Sequence, residues 1–142
     1  MKKVLGLLMA SAFIMSCSKD DNNGPKVDMS KLSTTKWYYK TEKDGSAAEA
    51  PYVNECASNK DYTMFAANGV LTDAYYNADC VADVGTGAYI VSNNTITATM
   101  YGETTTVVVK ELTSTKLVIE SKYDSDNNGT DDTTYITTYS NQ

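Results

Sequence analysis

Oxygen-bearing side chains recur along residues 124–132 with a spacing that suits a hard cation. The segment reads Asp-Ser-Asp-Asn-Asn-Gly-Thr-Asp-Asp. Calcium takes six to eight oxygen ligands, and acidic calcium loops begin in this way, although an EF-hand would have Glu where this chain has Tyr135. The alternative is a polar hairpin connection, since Asn, Asp and Gly are ordinary turn residues. The candidate calcium ligands are Asp124, Asp126, Asn128 and Asp132.

Catalytic chemistry finds little support in the residue types. Histidine and arginine are absent, which removes the commonest general base and the bidentate anion clamp. The neighbouring acids Asp131 and Asp132 occupy successive positions, which point to opposite faces of a strand and cannot share a substrate. We therefore expect that the protein is not an enzyme and, apart from the calcium alternative, that it has no cofactor.

The first 16 residues have the organisation of a cleaved secretory signal. Lys2 and Lys3 precede an apolar run over residues 4–15, which is shorter than the roughly 20 residues that span a bilayer. Small Ser16 stands before Cys17, and the segment resembles a bacterial lipoprotein signal, in which signal peptidase II cuts before the cysteine and lipid is attached to it. The resemblance implies an outer-membrane lipoprotein of the cell envelope, held by lipid at Cys17. The alternative is an ordinary signal peptide.

A polar segment follows the lipidation cysteine. Residues 17–31 show no apolar periodicity and are expected to form a flexible tether. Asp20 and Asp21 lie just after Cys17 and resemble the export signal of Bacteroidota surface lipoproteins, which implies exposure on the cell surface. A solvated linker whose charge has no reader is the alternative.

The remaining residues, 32–142, are enough for one small domain. The formal net charge of the chain is -6, and it becomes -8 once Lys2 and Lys3 leave with the signal. A nucleic-acid partner would require a basic patch, so nucleic acid is excluded and a cationic partner is favoured.

Two cysteines remain in the domain. Cys56 and Cys80 form an even pair in an oxidising compartment, where a disulfide is the expected state. Such a bridge closes a loop of about 25 residues and contributes roughly 3 to 4 kcal/mol in the chain-entropy model. A metal or reactive-thiol site is the alternative, but no His and no Cys-x-x-Cys spacing accompanies the pair.

The domain is predicted to be all-β. Short runs rich in Thr, Tyr, Val and Ile alternate with Asn, Gly, Asp and Ser, no run has a convincing helical period, and Asn68-Gly69 is a strong hairpin signal. Short connections favour an eight-stranded antiparallel up-and-down meander barrel, which closes its own edges. The predicted strands are Thr35 to Lys43, Asp61 to Ala66, Val70 to Tyr76, Gly87 to Ser92, Thr95 to Met100, Thr104 to Leu112, Thr115 to Tyr123 and Thr133 to Ser140.

A series of short motifs runs between Leu32 and Tyr139. It begins with Thr35-Lys36-Trp37 and continues with Cys56, Asp61 to Phe65, Asn68-Gly69, Cys80, Gly87 to Val91, Asn94 to Thr97 and Leu112 to Val118. In order and spacing the series resembles the lipocalin-like lipoproteins of Bacteroidota, whose usual Gly-x-Trp start has Thr35 in place of the glycine here. The resemblance implies a calycin-type barrel in which Trp37 closes one end, and it also implies a small-molecule cavity.

An eight-stranded barrel either fills its interior with side chains or holds one small ligand. Tyrosines suit such a pocket, since a phenol has an apolar face and a hydrogen-bonding tip, although tyrosine is also a common strand residue. We expect an open, dry cavity near Trp37, Tyr62 and Tyr89. The candidate lining residues are Trp37, Tyr39, Tyr62, Met64, Tyr89, Val91, Tyr135 and Tyr139.

Two functions follow from these expectations. The first is a lipid-anchored binding protein that holds a small apolar ligand in its barrel. The second is an interaction or inhibitor module, of the lysozyme- or protease-inhibitor type, that binds a cationic protein through its acidic surface. The long loops, Asp44 to Lys60 and Asn77 to Thr86, carry both cysteines at one end of the barrel and suit either function.

Overall fold

The computed structural model describes residues 26–142, so the signal segment and Cys17 lie outside the described residues. A single sheet closes on itself, because strand β1 pairs with β3 on one side and with β9 on the other. The two-residue strand β2 pairs only with β1. The predicted eight-stranded antiparallel barrel is therefore confirmed. Its elements are α1 (Met29–Leu32), β1 (Lys36–Asp44), β2 (Ala50–Pro51), β3 (Tyr62–Phe65), β4 (Val70–Tyr76), β5 (Ala82–Ser92), β6 (Thr95–Met100), β7 (Glu103–Leu112), β8 (Lys116–Tyr123) and β9 (Thr133–Ser140).

Strand β5 is longer than predicted. It begins at Ala82 rather than Gly87, because its first residues pair with β4 from Tyr76 opposite Ala82 onwards. The loop that was expected to run to Thr86 therefore covers only residues 77–81. Ala82, Asp83, Gly85 and Gly87 have low β-propensity, so the local pattern does not predict this half of the strand, which the long pairing with β4 stabilises.

The ordered domain starts earlier than residue 32. Val27 donates its backbone N–H to the carbonyl of Asn93 at 2.8 Å, and Asp28 caps α1 by accepting from the Ser30 N–H at 3.0 Å. Val27 and Met29 pack against the core, and Leu32 is fully buried. The expectation that the tether extends to residue 31 is thus wrong for residues 27–31, because Val27 and Met29 pack over one end of the barrel.

That end of the barrel is closed and packed. The indole N–H of Trp37 donates to the Leu32 carbonyl at 2.9 Å, and both side chains are fully buried. The Phe65 and Tyr89 rings meet edge to face at 5.1 Å. The core around them consists of Leu71, Ile96, Val109, Leu117 and Tyr139. We call this packed half of the interior the floor.

The opposite end carries the longer loops. Successive strands run in opposite directions, so the connections at 45–61, 77–81 and 124–132 all lie at the end far from α1. Cys56 and Cys80 join two of these loops in a disulfide with a Cα–Cα distance of 5.0 Å, as predicted. This second end is the one that any pocket in the barrel would open through.

Candidate functional site

Inward-facing side chains in the half of the barrel next to the disulfide are not packed like those of the floor. Residues opposite each other in an antiparallel pair share a face. Tyr39 lies opposite buried Tyr139, and Glu42 lies opposite buried Thr137. Asp73 lies opposite Thr63, which is buried and itself opposite Trp37. We call this half of the interior the cup. Five of its inward-facing residues are only half-buried, namely Tyr39, Glu42, Asp73, Glu103 and Tyr135.

Asp73 is the centre of a hydrogen-bond cluster in the cup. The Tyr75 hydroxyl donates to Asp73 Oδ2 at 3.0 Å, and the Tyr39 hydroxyl lies 3.2 Å from Asp73 Oδ1. The two hydroxyl oxygens are 2.9 Å apart. Burial raises the pKa of Asp73 to about 6, although hydrogen bonds from Tyr75, Tyr39 and Thr63 act in the opposite direction.

Aromatic rings surround this carboxylate. The Tyr39 ring centroid lies 4.7 Å from that of Tyr52, 4.7 Å from that of Tyr139 and 5.8 Å from that of Tyr75. Burial is the main cause that raises the pKa of Tyr39, Tyr75 and Tyr139 well above the ordinary phenol value. These phenols therefore remain neutral hydrogen-bond donors at physiological pH.

A second acidic residue of the cup, Glu42, lies further along β1. Burial, followed by a hydrogen bond with Glu42, raises the pKa of Tyr135. Tyr123, which shares the inward face of β8 with Ser121, donates its hydroxyl to Asp44 at 2.5 Å. Glu42 thus lies beside Tyr135 on the same inward face as the Tyr39 and Asp73 cluster.

The cup has carboxylates without a basic partner. Within residues 26–142, the lysines of the strands face outward, are exposed or pair elsewhere: Lys36 lies over the Tyr62 ring, Lys40 is exposed at the bulge of β1, Lys110 pairs with Glu120, and Lys116 pairs with Glu111. Lys43 and Lys122 alternate with inward-facing neighbours and so point away from the interior. The charges that act on Asp73 and on the cup tyrosines are carboxylates and phenols.

Asp61 anchors the loop that precedes β3. It is 4% exposed, and it accepts from the Tyr52 hydroxyl at 2.6 Å and from the Tyr76 N–H at 2.7 Å. Its own N–H donates to Asn54 Oδ1 at 2.8 Å. These bonds hold the Tyr52 ring against Tyr39, so Asp61 positions one wall of the cup.

The predicted lining residues fall into three places. Tyr39 and Tyr135 belong to the cup, and buried Tyr139 belongs to the floor, where it borders Tyr39. Trp37, Tyr89 and Val91 belong to the floor, where the Tyr89 hydroxyl donates to the Ala66 carbonyl at 2.7 Å. Contact of these residues with a ligand stays a prediction.

Tyr62 and Met64 do not face the interior, and the prediction that they line it is wrong. Their strand neighbours Thr63 and Phe65 are buried inside, and alternation sends Tyr62 and Met64 outward. Tyr62 instead meets Tyr38 edge to face at 6.1 Å. The expected dry cavity between Trp37, Tyr62 and Tyr89 is therefore absent from the described residues, since two of the three are packed and the third lies outside.

An outer groove of about 470 Å³ contains Tyr62. It is separated from the cup by the sheet, because Tyr38 and Tyr62 point away from the interior. The groove is open and polar, and its other lining residues are Lys36, Ser58, Asn59, Lys60, Tyr76, Asn141 and Gln142.

Sequence reasoning missed Asp73, Tyr75 and Tyr52. Leu71 is buried, so alternation along β4 places Asp73 and Tyr75 on its face. The alternation in the sequence could have predicted that Asp73 and Tyr75 share the inward face of β4. An inward aspartate is unexpected, however, because the buried face of a strand usually carries apolar residues. Tyr52 lies in a loop, where no periodicity predicts its position.

In the loop at 124–132, the candidate calcium ligands serve as turn acceptors. Asp124 accepts from the N–H groups of Asn128 at 3.1 Å and Gly129 at 2.7 Å, and Asp126 accepts from Asn128 at 3.2 Å. Asn128 accepts from Thr130, and Asp132 accepts from the Thr133 hydroxyl. Within residues 26–142 no three His, Cys, Asp or Glu side chains converge as metal ligands. Calcium binding by this loop stays a prediction.

Ser33 and Lys36 have the Ser-x-x-Lys spacing of some nucleophilic enzymes, but the structure separates their functional groups. The Ser33 hydroxyl donates to the Met29 carbonyl at 2.6 Å. The Lys36 ammonium lies 4.0 Å from the centre of the Tyr62 ring on the outer face. This pair therefore lacks the mutual hydrogen bond of a nucleophile and its base.

Comparison with known proteins identifies the barrel. The family model of the lipocalin-like domain matches residues 17–119. The chain is also similar to the crystal structure of an uncharacterized protein from Bacteroides eggerthii, with a TM-score of 0.53 and 14% sequence identity. This similarity covers 74% of the present chain and 97% of the other, and it shows a shared fold. No curated protein matches the sequence.

Across the described range, no helix has the length and apolar character that a membrane span requires.

Proposed function

Because the chain belongs to the lipocalin-like domain family, we propose that it binds a small molecule in the cup, as a lipid-anchored protein of the bacterial cell envelope. The observation that carries this proposal is the division of the barrel interior. The floor is packed around Trp37, whereas the inward-facing residues above it stay half-buried and carry hydroxyl and carboxyl groups. Ligand sites carry a few polar groups that fix the orientation of the ligand, and these groups lie on the side of the floor that faces the open end of the barrel.

Anchoring through lipid at Cys17 is part of the proposal and rests on the sequence before residue 26. The disulfide between Cys56 and Cys80 supports export from the cytoplasm, since such bonds persist in oxidising compartments. Globomycin, which blocks signal peptidase II, is expected to cause accumulation of the uncleaved precursor. Processing that continues in its presence would contradict lipidation.

Native mass spectrometry tests the binding function. The domain with Cys17→Ser is purified without reductant from the periplasm of its own host. We expect a stoichiometric adduct of small-molecule mass. Ser121 lies opposite Tyr135 on the inward face, so Ser121→Trp fills the cup and should abolish the adduct. Lys122→Trp places the same ring on the outer face and should retain it. A bare mass for the parent protein would contradict the proposal.

One observation favours a second function, the docking of a cationic protein at the open end. Val53 and Val81 lie in the two loops that the disulfide joins, and these residues are 81% and 61% exposed. Apolar residues in an acidic surface suit a protein interface. A bare mass combined with salt-sensitive capture of lysozyme, a strongly cationic protein, would favour this function over small-molecule binding.

A further inference from the structure

We propose that the closed end of the barrel docks on an anionic phospholipid bilayer, with its lysines directed at the lipid phosphates. The proposal concerns the end of the molecule opposite to the cup, so it goes beyond ligand binding. It shares with the proposed function the anchoring of the chain at Cys17, and a chemical anchor in the test separates the two.

Exposed lysines are concentrated at the closed end. This end consists of the segment before β1, the connections between strands on the same side and the strand ends that flank them, namely residues 26–36, 66–69, 93–94 and 110–116. We call these residues the closed-end surface. They include two acids, Asp28 and Glu111, and five lysines, all of which are exposed: Lys26, Lys31, Lys36, Lys110 and Lys116. Five positive and two negative charges give the closed-end surface a formal charge of +3.

The open end has the opposite charge. Its long connections, residues 45–61, 77–81 and 124–132, contain eight acids and one lysine, Lys60. The closed-end surface is thus positive on a chain whose formal net charge is -6. The net charge alone predicts repulsion from anionic lipid, whereas the distribution of charge along the barrel predicts attraction at one end.

The lysines of the closed-end surface are available to lipid phosphates. Within residues 26–142, Lys26 and Lys36 form no ion pair. The other three lysines form ion pairs, in which their side chains stay between 45% and 50% exposed. Ion pairs at the surface contribute little to stability, so these lysines can exchange a carboxylate for a phosphate.

The start of the domain lies on the same surface. The Val27 N–H donates to the Asn93 carbonyl at 2.8 Å, so the chain enters the domain at the closed end. Cys17 precedes Val27 by ten positions. A lipid on Cys17 would therefore bring the closed-end surface, rather than the cup, to the bilayer.

Salt screening prevents the acids of the open end from cancelling this attraction. A nine-residue strand such as β1, tilted by about 40°, extends about 20 to 25 Å along the barrel axis. The Debye length is about 10 Å at 0.1 M ionic strength, so charges at the far end act weakly on the bilayer. A lysine near an anionic bilayer favours the bound state by roughly fivefold, so a surplus of three favours docking by about 100-fold.

Energy transfer from Trp37 to dansyl-labelled lipid headgroups measures docking. Trp37 is the single tryptophan and lies buried at the closed end, where its indole bonds to Leu32. The mature chain is exported without lipid and is coupled through Cys17 to a maleimide lipid, because the disulfide occupies the other two cysteines. At about 0.1 M salt we expect greater transfer on vesicles that contain phosphatidylglycerol than on phosphatidylcholine alone. At about 1 M salt, where the Debye length is about 3 Å, the two should be equal.

Two double variants with equal net charge locate the docking surface. Lys26→Glu, Lys31→Glu changes the formal charge of the closed-end surface from +3 to -1 and should abolish the increase on anionic vesicles. Lys43→Glu, Lys122→Glu makes the same change of total charge in the half of the barrel near the open end and should retain the increase. Lys26→Gln, Lys31→Gln leaves a charge of +1 and should give an intermediate increase. An unchanged near-ultraviolet signal of Trp37 in each free variant shows that the fold is preserved.

Three outcomes would overturn the proposal. They are equal or smaller transfer on the anionic vesicles, an increase that persists at about 1 M salt, and an equal loss in the two glutamate double variants. Because the anchor is chemical, none of these results depends on lipidation in the cell, which globomycin tests. None depends on the cup either, which native mass spectrometry tests, so docking and ligand binding can fail separately.

Discussion

The hydroxyl oxygens of Tyr39 and Tyr75 lie 2.9 Å apart, and both lie within hydrogen-bond distance of the Asp73 carboxylate. These three contacts each need one hydrogen atom. With Asp73 ionised, only the two phenols supply hydrogens, so one contact lacks its proton. A proton on Asp73 completes the triangle, because each group can then donate once and accept once. This arrangement agrees with the pKa of about 6, whose largest cause is burial.

Asp73 is expected to make the stability of the barrel depend on pH. Because the folded pKa of about 6 exceeds the ordinary value of 3.8, the fold prefers protonated Asp73. The stabilising contribution is full below about pH 4 and is lost as the pH rises through about 6. The full shift corresponds to about 3 kcal/mol, but solvent reaches the cup, so we expect a loss of about 1 to 2 kcal/mol. Urea unfolding across this range measures it.

The variant Asp73→Asn should remove this pH dependence and should be more stable than the parent protein at pH 8. Tyr39, Tyr75, Thr63 and Asp61 act on Asp73, and none of them is changed by the substitution. Asp131→Asn serves as the control for the loss of one negative charge. Parallel stability curves for Asp73→Asn and the parent protein would contradict the assignment of the raised pKa.

Gly85 and Gly87 lie two residues apart on the inward face of β5, and alanine is expected to have different effects at the two. A Cβ at Gly85 would meet the end of the Tyr101 side chain, which can swing outward, so Gly85→Ala should cost less than about 1 kcal/mol. A Cβ at Gly87 would meet the Thr99 carbonyl and the Met100 backbone, and Gly87→Ala should cost about 2 to 3 kcal/mol or more. Chemical denaturation of both variants measures the difference, and equal costs would refute it.

Leu32 is expected to stabilise the domain although it precedes every strand. It is fully buried against the floor, so Leu32→Ala should lower the free energy of unfolding by about 2 to 5 kcal/mol. The neighbouring Lys31 is exposed, and Lys31→Ala should have an effect within about 0.5 kcal/mol. Thermal unfolding followed by circular dichroism compares the two. Equal melting temperatures would mean that the N-terminal segment does not close the barrel.

The disulfide should contribute about 3.5 kcal/mol to stability, because it closes a loop between two cysteines that are 24 residues apart in the sequence. The double variant Cys56→Ser, Cys80→Ser is compared with the oxidised parent by urea denaturation. The floor lies at the other end of the barrel, so the near-ultraviolet signal of Trp37 should persist in the folded variant. A variant as stable as the parent would contradict the predicted contribution.

Most of the barrel could be predicted from the sequence, because its strands are local patterns. Val70–Tyr76, Thr95–Met100 and Thr133–Ser140 have the predicted bounds, since turn residues flank them. The N-terminal half of β5 could not be predicted, because pairing with β4 rather than local propensity stabilises it. The turn Met29–Leu32 is too short to show a helical period.

The site was less predictable than the fold because it depends on which face of each strand is buried. A shift of one residue in β3 reverses the faces, so that Tyr62 and Met64 are assigned to the interior in place of Thr63 and Phe65. Tyr62 and Met64 are the larger and more apolar alternatives to the threonine between them, yet the barrel buries that threonine, Thr63, between Trp37 and Asp73. Only the register between strands decides such a position.

The backbone bond from Val27 to Asn93 places the start of the domain at its sealed end. If lipid holds the protein at Cys17, the nine intervening residues reach at most about 30 Å from the bilayer. The closed end of the barrel would then be the end nearest the lipid attachment, and the open end would be the far one. Loading and release would take place with the aqueous surroundings or with a neighbouring macromolecule, and a ligand extracted directly from the supporting membrane would have to travel around the outside of the wall.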